Sequence, residues 1–86
     1  MTWKIEWDDV AVKQLRKLDK QIEKRIISYL KKVVLGNPRK LGKPLTGDKI
    51  SLWRFRMGDY RIICRLIDDE FVVLVVSVGH RKEVYN

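Results

Sequence analysis

Residues 71–78 of this 86-residue chain read Phe71-Val72-Val73-Leu74-Val75-Val76-Ser77-Val78, eight positions with no polar face. The run is too short and too β-branched for a buried helix, so it reads as a strand. A strand that is apolar on both sides belongs inside a sheet, flanked by neighbours and covered at least in part on both faces. The rest of the chain must therefore supply partner strands and a covering layer. With 45% hydrophobic and 35% charged residues, five glycines and two prolines, it has the composition to do so as one folded unit. A single domain over residues 1–86 is expected, with one small core and no room for a deep cofactor pocket with its own lid.

The other elements follow from spacing. Trp3, Ile5 and Trp7 alternate with polar residues, the pattern of a short strand with one buried face. Asp8 or Asp9 then offers a helix N-cap, and Val10, Ala11, Leu15 and Leu18 mark one helical face. Asp19 caps a second helix, on which Ile22, Ile26, Tyr29, Leu30, Val33 and Val34 recur at spacings of three and four. Gly36 stops it, with Pro38 beyond. The short link between the helices predicts an antiparallel hairpin. Residues 37–49 read as an ordered loop or short turn, because they hold Pro38, Gly42, Pro44 and Gly47. Strands are predicted over 50–57, 60–67 and 71–78, joined by a two-residue Gly58-Asp59 turn and a three-residue Asp68-Asp69-Glu70 turn. The order β-α-α-β-β-β predicts an α+β fold, with the N-terminal strand and helical hairpin packed on a small, mainly antiparallel, twisted sheet.

Charge narrows the partners. Nineteen Lys and Arg face eleven Asp and Glu, a net charge of +8. Thirteen basic and six acidic groups fall in residues 1–49, and six and five in residues 50–86. The helical half thus reads as an electrostatic footprint for a polyanion, with nucleic acid the leading partner. A merely solvated basic face and an anionic membrane surface are the other readings, the latter weaker because no aromatic amphipathic anchor accompanies the lysines. One cysteine, Cys64, and one histidine, His80, leave no disulfide framework and no Cys/His metal cluster, so neither metal nor cofactor is expected. The opening residues lack the apolar core of a signal peptide, and no apolar run nears the roughly 20 residues of a membrane helix. A cytoplasmic protein is the expectation.

Strand alternation sorts the candidate chemistry. Trp53 and Phe55 share one face, and Arg54 and Arg56 share the other with Leu52; on the next strand Arg61 and Arg65 share a face. If register allows, Arg54, Arg56, Arg61, His80, Arg81 and Tyr85 meet at one end of the open face. Guanidinium forks grip phosphate bidentately and offset charge building on it. Tyr85 offers a platform for an unpaired base, and His80 is the side chain whose ordinary pKa suits proton transfer near neutrality. Trp3, Trp7 and Trp53 read as core, and Cys64 as a buried, unreactive thiol. No P-loop, dinucleotide fingerprint, carboxylate pair or nucleophile elbow is present.

In order along the chain, Lys43-Pro44-Leu45-Thr46-Gly47, Leu52-Trp53-Arg54-Phe55-Arg56-Met57-Gly58-Asp59-Tyr60-Arg61-Ile62 and Val78-Gly79-His80-Arg81-Lys82-Glu83-Val84-Tyr85 resemble the RelE/ParE superfamily of toxin–antitoxin toxins. The RelE branch is the closer likeness, and it covers essentially the whole chain. The resemblance implies a ribosome-dependent endoribonuclease (an mRNA interferase) that blocks translation by cutting mRNA in the A site, on the small ribosomal subunit. It implies a RelB-like antitoxin that silences it in a hetero-oligomer, an amphipathic antitoxin helix covering an apolar groove. The implied reaction is metal-independent: the ribose 2′-OH attacks the adjacent phosphate, leaving a 2′,3′-cyclic phosphate and a 5′-OH.

Carried over by position, Arg61 and Arg81 match the arginines at the scissile phosphate, with Arg81 a proton donor, and Tyr85 matches the base-orienting tyrosine. Arg54, Arg56 and Arg65 are the expected RNA-binding residues. Arg54 and Arg56 stand where the better-known pattern has lysines, one of them proposed as the general base; an arginine stays protonated, so it clamps charge but does not take a proton. His80 is the candidate to take over that transfer. Lys13, Arg16, Lys17, Lys20, Lys24, Arg25, Lys31 and Lys32 would dock on ribosomal RNA. The ParE branch, which inhibits DNA gyrase without cutting RNA, is the alternative on the same fold.

Overall fold

A computed structural model of the chain describes residues 2–45 and 52–80. Strand β1 spans Lys4–Trp7, helix α1 Asp9–Arg16 and helix α2 Lys20–Leu35. A short helix α3, Pro38–Leu41, and a two-residue strand β2, Lys43–Pro44, follow. Strands β3 (Leu52–Met57), β4 (Tyr60–Ile67) and β5 (Val72–His80) complete the fold, with a 3-10 turn at Asp68–Glu70 between the last two. Among the described residues the strands form one sheet in the order β1-β5-β4-β3-β2. Only the β1–β5 pair is parallel. This is the expected α+β architecture.

The helix boundaries are set by side-chain caps. The Asp8 carboxylate accepts from the Val10 N–H at 3.2 Å, and the Asp19 carboxylate from the Gln21 N–H at 3.0 Å. Each satisfies a donor that the first helical turn leaves open. Gly36 ends α2, its N–H donating back to the Lys32 carbonyl. The segment expected to be a loop holds α3 instead. Asn37 caps it by accepting from the Arg39 N–H at 3.0 Å, and Pro38 takes the first helical position, where no N–H is needed.

Ala11 and Leu15 of α1 and Ile26, Leu30 and Val33 of α2 bury against Phe55, Ile62, Cys64, Leu66, Val73, Val75 and Val78 of the sheet. Trp3, Trp7 and Trp53 pack around that core as expected. Fully buried side chains such as Phe55, Ile26 and Leu30 each stabilise the fold by roughly 1.5–3 kcal/mol. The all-apolar strand is interior, between β1 and β4, though β4 and not β5 is the middle strand.

Three backbone features shape the sheet toward the β3–β4 hairpin. Gly58 has φ +60° and Asp59 does not share it, so the hairpin closes with glycine at the first turn position. The β4–β5 pairing skips Val76 between Ile63–Ser77 and Cys64–Val75, a bulge. Past Val75, β5 has lost β1 as a neighbour; there the Gln14 side-chain oxygen of α1 accepts from the Val78 N–H at 2.7 Å, closing an edge that would otherwise lie open. At the other end, Phe71 adopts the left-handed region, φ 54°, after the 3-10 turn. Its ring meets Trp3 edge-on at 5.4 Å, which helps hold this costly conformation.

Candidate active site

The tight Gly58–Asp59 turn fixes the register of β3 against β4, and that register builds the site. Arg56 stands directly opposite Arg61, and Arg54 opposite Ile63, on the same face. On its other side Arg61 faces Gly79 of β5, which has no side chain to crowd it. Arg54 and Arg61 are half-buried and Arg56 exposed. Three guanidiniums thus gather at the hairpin end of the face turned away from the helices. Such donors, pre-set in a partly desolvated place, suit a phosphate.

The remaining expected residues divide. Arg65 shares the face but sits across from Leu52 and Leu74, four residues down β4 from Arg61. At a rise of about 3.3 Å per residue that is roughly 13 Å from Arg61, while Arg54 stands diagonally between the two, so Arg65 lies at the margin of the cluster. His80 stands on the rung next to the Arg61–Gly79 pair, in a row that faces the other way. Strand β5 continues two residues past the predicted end at Val78, and its register puts His80 opposite Tyr60, in the row of Met57. That row projects toward the helical layer, the adjacent Arg56–Arg61–Gly79 row away from it. The His80 ring meets Tyr60 edge-on, centroids 5.7 Å apart. Arg81 and Tyr85 lie outside the described residues. The basic side chains of the hairpin, Lys13, Arg16, Lys17, Lys20, Lys24, Arg25, Lys31 and Lys32, are all exposed.

Two further groups are positioned with care. The Arg39 guanidinium makes a bidentate pair with Asp68, 2.5 and 2.7 Å, and lies over the Trp53 ring at 5.4 Å. Those hydrogen bonds hold the Asp68 carboxyl below the usual carboxylate range. Sequence reading did not single out Arg39; no local pattern announces a pair 29 residues apart in the chain. Burial pushes the Cys64 thiol far up, so it remains protonated and inert, as anticipated.

A helical hairpin laid on a sheet whose far face gathers arginines is the arrangement that the sequence's likeness to RelE/ParE toxins implies, and comparison with known proteins shows the family. The family model described as the ParE toxin of the type II toxin–antitoxin system parDE matches residues 5–85, so the chain belongs to this superfamily of type II toxins. Its relatives include the mRNA interferase toxin RelE of Escherichia coli K12, 35% identical over 92 residues that cover 100% of this chain and 93% of that one. Toxin RelE of Mycobacterium tuberculosis is 31% identical over 75 residues, 87% of this chain and 77% of that one. Among solved structures, the isolated E. coli RelE toxin superposes with a TM-score of 0.76 at 28% identity, covering 99% of this chain and 92% of that one. The toxin of the M. tuberculosis RelBE2 toxin–antitoxin complex gives 0.78 at 25% identity, 94% and 100%. No helix among the described residues is long and apolar enough to cross a membrane.

Proposed function

We propose that this toxin is a ribosome-dependent endoribonuclease that cuts mRNA in the ribosomal A site. The observation that carries the reading is the Arg56–Arg61 rung with Arg54 beside it. In the reaction the ribose 2′-hydroxyl gives its proton to water and its oxygen bonds to the adjacent phosphorus as the bond to the 5′-oxygen breaks and that oxygen takes up a proton, so negative charge builds on the phosphoryl oxygens and then on the leaving oxygen. Arg61, half-buried and flanked by Gly79, offsets charge on the phosphoryl group. Arg54 and Arg56 hold the flanking backbone. None of the three accepts a proton, which fits a toxin that depends on the ribosome to position the strand and to favour attack. By family likeness Arg81 serves the leaving oxygen and Tyr85 orients the base. The exposed cations of the helical hairpin dock on ribosomal RNA. Arg65 stays a backbone contact at the margin.

A RelB-like antitoxin is the partner this reading requires, and the relatives named for RelBE complexes support it. Leu35 and Leu41, 79% and 52% exposed where α2 meets α3, give it an apolar foothold. Acting on ribosomes places the protein in the cytoplasm.

The test is incubation with an mRNA-programmed ribosome whose A site is empty, followed by primer extension, with free mRNA and gyrase supercoiling in parallel. Cleavage within the A-site codon, only when ribosomes are present, is the expected outcome. Intact mRNA with inhibited gyrase would assign the chain to the ParE branch instead.

A further inference from the structure

Strand β5 changes face partway along. Val75 and Val78 are both buried in the core, at 0% and 2% exposure, though they lie three residues apart. An unbroken strand would turn them to opposite faces. The bulge at Val76 accounts for this: Cys64 pairs with Val75 and Ile63 with Ser77, so every later residue is displaced by one position. That displacement brings Gly79, which has no side chain, across from Arg61. With Val76 drawn back into the ladder, Val78 would stand across from Arg61 and Gly79 across from Tyr60.

We propose that Gln14 is a positioning residue for the active face, holding β5 in its displaced register through the Val78 amide. The proposal deepens, and rests on, the reading of Arg61 as the cation at the scissile phosphate. Gln14 belongs to the helical layer, so it acts on Arg61 through the strand and not by contact with RNA.

One hydrogen bond tells the two registers apart. Residues of an antiparallel strand turn their N–H groups alternately to one neighbour and to the other. In the displaced register Val78 turns its N–H away from β4, and the Gln14 side-chain oxygen accepts it at 2.7 Å. In the undisplaced register the same N–H would point to β4, out of reach of Gln14. The bond falls where β5 needs support, since the pairing with β1 ends at Val75. Its donor is in a buried residue, and its acceptor is half-buried on α1, whose Ala11 and Leu15 pack into the core. Burial of Val78 favours the same register, so Gln14 reinforces a choice that packing begins.

The test compares two substitutions of nearly equal size. Gln14→Met removes the acceptor, and Gln14→Glu keeps one. Amide exchange and cross-strand proton contacts are read by NMR on the full chain, with cleavage on programmed ribosomes in parallel. The parent and the Gln14→Glu chain should protect the Val78 amide, show contacts between Arg61 and Gly79, and cut at similar rates. In the Gln14→Met chain the Val78 amide should exchange at least about tenfold faster, and the Arg61–Gly79 contacts should weaken. Its kcat should fall about tenfold while KM for the programmed ribosome stays within twofold, because the exposed docking cations are untouched. A Gln14→Met chain with the parent's register and kcat, a Gln14→Glu chain as impaired as Gln14→Met, or a loss carried by KM alone would overturn the proposal. Should Gln14→Met fail to fold, the parent decides: a Val78 amide that exchanges as freely as an exposed one overturns it. The NMR arm reads register without cleavage. A parent chain that leaves mRNA intact would therefore count against the nuclease reading, while the register of the Gln14→Met chain would still judge the role of Gln14.

Discussion

Arg56 and Arg61 occupy one rung of the β3–β4 ladder, two like charges directly across from each other. Like charges on facing positions of a sheet repel, and on the proposed reading the RNA phosphate is the anion that meets them.

Replacing Arg56 with glutamine should therefore separate stability from activity. The Arg56→Gln chain should gain roughly 0.2–1 kcal/mol in urea unfolding while cutting A-site mRNA more slowly. Arg61→Ala should lower the cleavage rate by roughly 10²–10³-fold, the usual cost of losing one pre-set donor to a charged transition state. A rate within twofold of the parent for Arg61→Ala would take Arg61 out of the chemistry.

Gly42 tests the packing under β3. A Cβ there would sit 2.7 and 2.9 Å from the Phe55 ring and 3.1 Å from the Arg54 carbonyl oxygen. Phe55 is fully buried and has nowhere to go. Gly42→Ala should cost about 1–3 kcal/mol by chemical denaturation, as overpacking does. Pairing it with Phe55→Leu should recover part of that loss, which a double-mutant cycle would register.

The Arg39–Asp68 pair gives a pH signature. The folded-state pKa of Asp68 lies below its unfolded value near 3.9, so its stabilisation is present above that value. It fades as pH falls through the lower, folded value. Both side chains are largely exposed, so the pair is worth little, about 0.2–1 kcal/mol at low salt. The stability difference between the parent and Asp68→Asn should be measurable at pH 7, shrink below pH 4, and shrink again in high salt.

Cys64 should report unfolding. Buried and held protonated, its thiol should resist aromatic disulfide reagents in the folded chain even at alkaline pH, and react only as the sheet opens. Cys64→Ser should cost roughly 1–3 kcal/mol, because a hydroxyl would stand without a partner in an apolar core.

Much of this was legible in the residue order because the signals were local. Asp8, Asp19 and Gly36 announce helix ends by chemistry that acts within a few residues. Gly58 announces a turn by its freedom at positive φ. The all-apolar strand demanded an interior place and has one. What escaped depended on distant partners. A four-residue strand such as β1 does not carry the direction of its pairing, and the parallel match to β5 rests on the helices that return the chain to that edge. Helix α3 did have a signal, Asn37 before Pro38, masked by the surrounding prolines and glycines. The shared face of Arg54, Arg56 and Arg61 was legible from alternation on β3 and β4. The row that His80 occupies was not, because pairing with β4 carries β5 two residues further than its apolar run.

The parallel pairing of Lys4–Trp7 with Val72–Val75 has a consequence in time. The first strand made has no sheet to join until the last strand has been synthesised, since each of its ladder partners lies beyond residue 71. Helices α1 and α2 can form early, but the sheet they cover is closed only by a contact that spans most of the chain, the kind that forms late. The β3–β4 hairpin that carries the arginines can pair earlier, but the sheet and helical layer that back it are not complete until translation has passed residue 75. With the translating ribosome as the proposed target, that delay separates the birth of the molecule from its competence.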